Sequence, residues 1–154
     1  MKLKIEKTVN ILNKRARFEY EILEEYEAGI VLQGTEIKAL RSSKASIAES
    51  FCQFIERELY VINMTIDEYK LGTYYNHKIK RERKLLLHQK ELQKLEKKLK
   101  DAGNTIVPLK CYINTSGKAK LLIALARGKK LFDKRESIKE RESKINIDRI
   151  LKKR

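Results

Sequence analysis

At 154 residues the chain is long enough for one domain with flanking tails and a core that folds without covalent staples. Its apolar fraction of 42% is ordinary, but 36 Lys and Arg against 21 Asp and Glu give a net charge of +15 and a pI near 9.8. That imbalance points to a polyanionic partner, with RNA, DNA and an anionic membrane surface all open, while the longest apolar run, Leu121 to Ala126, is far too short to span a bilayer.

Residues 1–12 read as a basic lead-in that alternates lysine with single aliphatics and carries no secretion signal. From Phe18 the pattern Phe18, Tyr20, Ile22 predicts a half-buried strand, with a turn between Glu24 and Gly29 and a second strand restarting at Ile30-Val31-Leu32. Thr35 is the expected N-cap of a short helix containing Ile37 and Leu40. Phe51 to Ile55 and Leu59 to Asn63 predict a hairpin closed by Glu56-Arg57-Glu58. Tyr69 to Arg83 reads as a long basic, aromatic surface loop. A long helix is expected from Leu85, with His88, Leu92, Leu95 and Leu99 on one face and Gly103 as its stop. Val107 to Ile113 and Leu121 to Leu125 alternate as two final strands around an Asn114–Lys118 loop. The expected fold is mainly β with helices (α+β): a small antiparallel OB-like barrel over residues 13–127, with one long and one or two short helices.

The last segment, residues 128–154, is a basic tail with eleven Lys or Arg against five Asp or Glu. Its few aliphatics, among them Ile138, Ile145, Ile150 and Leu151, are too sparse for a core, so it is expected to be disordered when free and to become helical against a polyanion. A merely solubilising tail is the plainer alternative. Cys52 and Cys111 lie far apart in apolar alternation and read as buried free thiols, consistent with a reducing cytoplasm.

Little supports catalysis. His88 reads as a packed or capping histidine, and His77 in the basic loop as either RNA-facing or simply exposed. There is no HExxH, phosphate-binding glycine loop or GxSxG, and the Glu24-Glu25-Tyr26-Glu27 run lacks calcium-loop spacing and reads as a solvated turn. Neither a metal nor a cofactor is expected. Nucleic-acid signals are stronger. Lys14, Arg15, Arg17 and Phe18 combine three cations with an aromatic ring, a set that neutralises phosphates and stacks on unpaired bases. Lys78 to Lys84 adds five cations in seven residues beside Tyr74 and Tyr75; two unrelated solvated runs are the alternative.

Five blocks in this order, NKRAR at 13–17, EAGIVLQGTEIKALR at 27–41, RKLLLH at 83–88, VPLK at 107–110 and ALARGKKLFDKRESIKER at 124–141, make the chain resemble the SsrA-binding (small protein B) family of bacterial trans-translation. The resemblance covers nearly the whole chain from Asn13. It implies a non-enzymatic, cytoplasmic adaptor, with no membrane partner, bound one-to-one to the tRNA-like domain of transfer-messenger RNA (tmRNA). The complex would enter ribosomes stalled on mRNA without a stop codon, and the tail would occupy the decoding centre and empty mRNA channel of the small subunit, so that the nascent peptide is tagged for degradation.

By the same resemblance, the RNA-binding residues fall on Glu27, Leu86 and Lys120. The tail residues acting at small-subunit rRNA fall on Lys129, Lys130, Phe132, Asp133, Lys134 and Arg135, with Ile150 and Leu151 further along. Leu86 has a competing reading as a core leucine at the start of the long helix. Phe18 and Phe132 depart from the histidine, or histidine and tyrosine, that relatives carry there, which keeps stacking but removes a polar contact. The alternative function is a structural ribosomal protein or general RNA chaperone, which composition alone would favour.

Overall fold

The computed structural model describes residues 9–72 and 76–129. The elements in chain order are β1 (Asn10–Leu12), α1 (Ala16–Glu19), β2 (Tyr20–Ile30), α2 (Gly34–Arg41), β3 (Ala45–Ser46), β4 (Phe51–Ile55), β5 (Glu58–Ile62), β6 (Thr65–Ile66), β7 (Arg83–Leu86), α3 (Gln89–Lys98), β8 (Asn104–Ile113) and β9 (Ala119–Gly128). Seven strands form one antiparallel sheet in the order β1-β8-β4-β5-β7-β2-β9, and a further pairing of β8 with β9 closes six of them into a ring. The expected small antiparallel β architecture with one longer and two short helices is therefore present. A two-stranded ladder, β3 with β6, lies outside the ring sheet.

The ring interior is aliphatic: Leu59, Val61, Leu85, Ile106, Leu121, Ile123 and Leu125 are buried together with Leu40 of α2 and Leu95 of α3. Each such side chain contributes about 1.5–3 kcal/mol on burial. Both cysteines are buried free thiols, as their alternation predicts.

Several local expectations need correction. Phe18 belongs to the single turn α1, and the strand begins at Tyr20. Glu24 to Gly29 is not a turn, and no second strand restarts at Ile30, because β2 runs unbroken from Tyr20 to Ile30 against β9. A β-bulge between Ile22 and Glu24 shifts the phase of the alternation, so the acidic run looks loop-like in sequence while lying in register. The N-cap of α2 is Gln33, in a capping box with Glu36. The long helix starts at Gln89, capped by His88, and Leu85 and Leu86 belong to β7. Gly103 (φ +85°) shapes the turn into β8, several residues beyond the end of α3. Residues 10–12, placed in the lead-in by sequence, pair with β8 at Lys110–Tyr112. The hairpin of β4 and β5 forms as expected, its Glu56 and Arg57 both left-handed (φ 50° and 66°) as a two-residue turn requires.

Candidate nucleic-acid interface

Residues directly opposite one another in paired strands share a sheet face. The registers therefore lay out one row across the outside of the ring: Tyr112 of β8 opposite Lys120 of β9, Lys120 opposite Gly29 of β2, and Gly29 opposite Leu86 of β7. The neighbouring row holds Lys110, Leu122 and Glu27. Glu27, Leu86 and Lys120, separated by up to 93 positions in sequence, thus converge on one outer surface.

Leu86 is 53% exposed, which excludes its reading as a core residue. On β7 the alternation sends Arg83 and Leu85 inward and Leu86 outward. Gly29 matters here because it lacks a side chain. A Cβ at that position would lie 3.4 Å from Leu86 Cβ, so glycine keeps open the groove between Leu86 and Lys120. Leu32, Ile37 and Ala119 complete this groove of about 390 Å³.

Glu27 is exposed and accepts a hydrogen bond from the Tyr112 hydroxyl, while Lys110 Nζ lies 5.0 Å from the Tyr112 ring centroid. Partial burial, and then the Glu27 carboxylate, push the Tyr112 phenol up to about 12, so it stays a neutral donor throughout the physiological range. One side of Glu27 is thereby oriented, and its remaining lone pairs can accept from base amino groups. A carboxylate, an apolar contact and a cation around an open groove can read an irregular RNA surface rather than charge alone.

The amino-terminal patch adjoins this face. Ala16 of α1 packs with Val107, Leu109, Ala124 and Ala126 on the outer side of β8 and β9, and Leu122 borders the same cluster. Arg17 reaches Glu25 at 2.8 Å, two residues from Glu27. Lys14 and Arg15 are exposed in the turn before α1, and Phe18 is half-buried. Lys129 donates from its backbone N–H to Glu19 O and from Nζ to Arg17 O, both at 2.9 Å, anchoring the end of β9 on α1.

The second basic run behaves differently. Arg83 is fully buried, bonded through Nε to Glu36 and donating to the carbonyls of Met64 (2.7 Å) and Ile79 (3.1 Å). Arg81 donates to Glu36 at 2.5 Å and to Val31 O at 3.1 Å. Burial works to raise the Glu36 pKa, but Arg81, the Gln33 amide and Arg83 outweigh it and hold the carboxyl below its ordinary value. His77 is buried between Thr35 Oγ1 (2.8 Å) and Ile66 O (2.9 Å), so neither an RNA-facing nor an exposed role fits it. Lys84 pairs with Glu58 at 2.9 Å. This run is chiefly a strap that ties the 76–82 segment to α2, with Lys78 and Lys80 left outward.

Lys130, Phe132, Asp133, Lys134, Arg135, Ile150 and Leu151, with Tyr74 and Tyr75, lie outside the described residues. Sequence reading missed Gly29, Lys110 and Tyr112. The pattern Lys110-Cys111-Tyr112 with a buried cysteine signalled that Lys110 and Tyr112 face outward, but not which carboxylate they meet. Among the described residues, no three or more His, Cys, Asp or Glu are grouped to hold a metal, and no helix is long and apolar enough to cross a membrane.

Comparison with known proteins shows the family. The SsrA-binding protein of Flavobacterium psychrophilum is 60% identical over 146 residues, covering 95% of this chain and 97% of the relative. That of Christiangramia forsetii is 57% identical over 145 residues, covering 94% and 92%. A chain of the solved structure described as "tmRNA-SmpB: a journey to the center of the bacterial ribosome" is 49% identical, with a TM-score of 0.68 over 84% of this chain and 94% of that one. The profile of the SmpB protein family matches residues 10–153, and the chain belongs to that family.

Proposed function

We propose that this protein is an RNA-binding adaptor of trans-translation. It holds the tRNA-like part of tmRNA on the outer face of β7, β2, β9 and β8, delivers it to ribosomes stalled on mRNA without a stop codon, and places its basic tail at the decoding centre and empty mRNA channel. The observation that carries the reading is the convergence of Glu27, Leu86 and Lys120 around the groove that Gly29 leaves open. Family membership and the likeness to a chain from a tmRNA–SmpB ribosome structure support it. The protein acts in the cytoplasm as a monomer, one per tmRNA, without catalysis, metal or cofactor.

Each residue has a distinct task. Lys120 neutralises a phosphate. Leu86 covers an unstacked base or ribose, and Glu27, aligned by Tyr112, accepts from a base amino group. Lys14 and Arg15 extend the cationic border from the turn before α1. Arg17 organises the adjoining surface through Glu25, and Phe18 offers an aromatic surface beside it. Lys129 starts the tail, and Lys130, Phe132, Asp133, Lys134, Arg135, Ile150 and Leu151 act at small-subunit rRNA.

The test is a paired assay on one variant. Changing Asp133, Lys134 and Arg135 together to Ala is expected to leave tmRNA affinity within about twofold while abolishing peptide tagging in a reconstituted translation reaction, because the residues proposed to hold tmRNA on the sheet all precede the tail. Tagging at the parental level would refute the decoding-centre role, and loss of tmRNA affinity would place the tail in the first binding surface.

A further inference from the structure

A second cationic surface lies on the other side of β2. Glu25 and Glu27 face outward, whereas the alternation turns Glu24 and Tyr26 the opposite way. Lys98 of α3 bonds Glu24, Lys94 lies 3.9 Å from it, and Leu95 of α3 is buried in the same core that Tyr26 packs against. Helix α3 therefore sits across β2 from the face that carries Glu27.

Between α3 and the β4–β5 hairpin runs an open cleft of about 640 Å³ whose wall includes Arg57, Lys90, Lys94, Lys97 and Lys100, with Glu96 as its one carboxylate. The five cations repel one another across the cleft, and among the described residues only Lys94 has an acidic partner within 4 Å. Arg57 is held in a left-handed backbone conformation that glycine or asparagine adopts more cheaply, so the hairpin tip retains a guanidinium at a conformational cost.

We infer that this cleft is a second phosphate-binding surface, which docks on the backbone of an RNA duplex while the sheet face holds its own RNA. Lys90, Lys94 and Lys97 form one stripe that rises roughly 10 Å along the helix. With one phosphate per strand for about every 3.4 Å of duplex axis, and a longer path along the winding strand itself, the stripe follows about two phosphates, and Arg57 closes on them from the hairpin. Among the described residues no aromatic side chain lines the cleft, so these offer no stacking platform for unpaired bases. Leu95 is buried, Leu92 and Leu99 are half-buried against the core, and Leu92 is the one apolar residue among the described ones lining the cleft, so α3 presents no broad apolar face to insert into a lipid surface. The protein thus joins two RNA segments, reading one by shape and chemistry and gripping the other by charge.

The experiment uses the full chain carrying R57Q, K90Q, K97Q and K100Q together, sparing Lys94 because of Glu24. Two probes are titrated over a range of salt: a short loop-free RNA duplex and the tRNA-like fragment of tmRNA. The variant is expected to bind the duplex more than tenfold more weakly, its log–log salt slope falling by roughly three to four units, at about 0.9 per lost phosphate contact. Its affinity for the tRNA-like fragment stays within about twofold. Immobilised tRNA-like RNA saturated with parental protein captures labelled duplex, and the variant captures several-fold less, with the tail present in both. Replacing the same four positions by Arg or Lys restores capture, which separates lost charge from lost folding. An unchanged duplex slope, or a parallel loss of both RNAs, would overturn the inference. Failure of the parental protein to prefer the tRNA-like fragment over ordinary tRNA would instead overturn the tmRNA reading and leave the duplex comparison standing.

Discussion

Lys14 to Arg17 and Lys78 to Lys84 are similar stretches of positive charge that meet opposite fates. Around α1 the cations stay at the surface, and the ion pair of Arg17 with Glu25 is exposed on both sides, a contact worth about 0–1 kcal/mol. Around Glu36 two guanidinium groups turn inward onto one fully buried carboxylate. The difference lies in what each cation can reach. Arg83 occupies an inward position of β7 and faces an acid fixed by the capping box of α2, whereas the turn before α1 overlies an outer surface of small aliphatics. Local charge density therefore does not locate an RNA site; strand parity and the nearest carboxylate decide which cations remain available.

The contrast breaks most sharply at Arg83. Arg83→Met leaves Glu36 buried with one partner fewer, and unfolding free energy should fall by about 3–5 kcal/mol in denaturant titrations, while RNA affinity per folded molecule is unchanged. A loss of affinity without destabilisation would make the strap part of the interface. The same cluster predicts an acid response. The Glu36 pKa is lowered in the folded protein, so its contribution is present above its unfolded value and is lost as pH falls through the folded one. Stability measured from neutral pH downward should start to drop below about pH 4.3, the ordinary glutamate range, and Glu36→Gln should flatten that portion of the curve.

On the outer face the expected order reverses, with binding affected and folding spared. Leu86→Ala should weaken tmRNA binding by about 1–3 kcal/mol. A half-exposed strand residue away from the core should change stability by no more than about 0.5 kcal/mol. A large fall in melting temperature with affinity intact would return Leu86 to a packing role. The smallest effect is expected at Tyr112→Phe, which removes the donor to Glu27 while keeping the ring under Lys110. Affinity for the tRNA-like RNA should drop about threefold to tenfold, in line with one modest hydrogen bond. Pairing it with Glu27→Gln should give less than the sum of the two losses, since both act on one contact.

Much of the scaffold was legible because it follows local rules. The β4–β5 hairpin, the alternation of β8 and β9, the leucines of α3 and the buried cysteines need only periodicity. Strand β2 was not legible, because its bulge breaks the alternation where the acidic residues cluster. The burial of Arg83 depends on Glu36, 47 positions away, and no local pattern carries that information. Glu27, Leu86 and Lys120 came from the resemblance to a family. Their meeting on one surface came from register, and so did the place of Tyr112, which no motif marks, and of Gly29, whose motif does not say what it lies against.

The anchoring of Lys129 on Glu19 and Arg17 also sets a length scale. Twenty-five residues follow that anchor. Such a segment extends at most about 85 Å from the point of attachment if fully stretched, and about 37 Å if helical. Because its origin is pinned to the same short helix that positions Arg17, the distance between the proposed RNA face and the start of that reach is fixed by the fold. On the proposed function the fold acts as a gauge: a site that takes up a given residue of this segment must lie within a radius, measured from the RNA on the sheet face, that is set by the number of residues after Lys129, and lengthening or shortening the segment moves that radius without touching either contact.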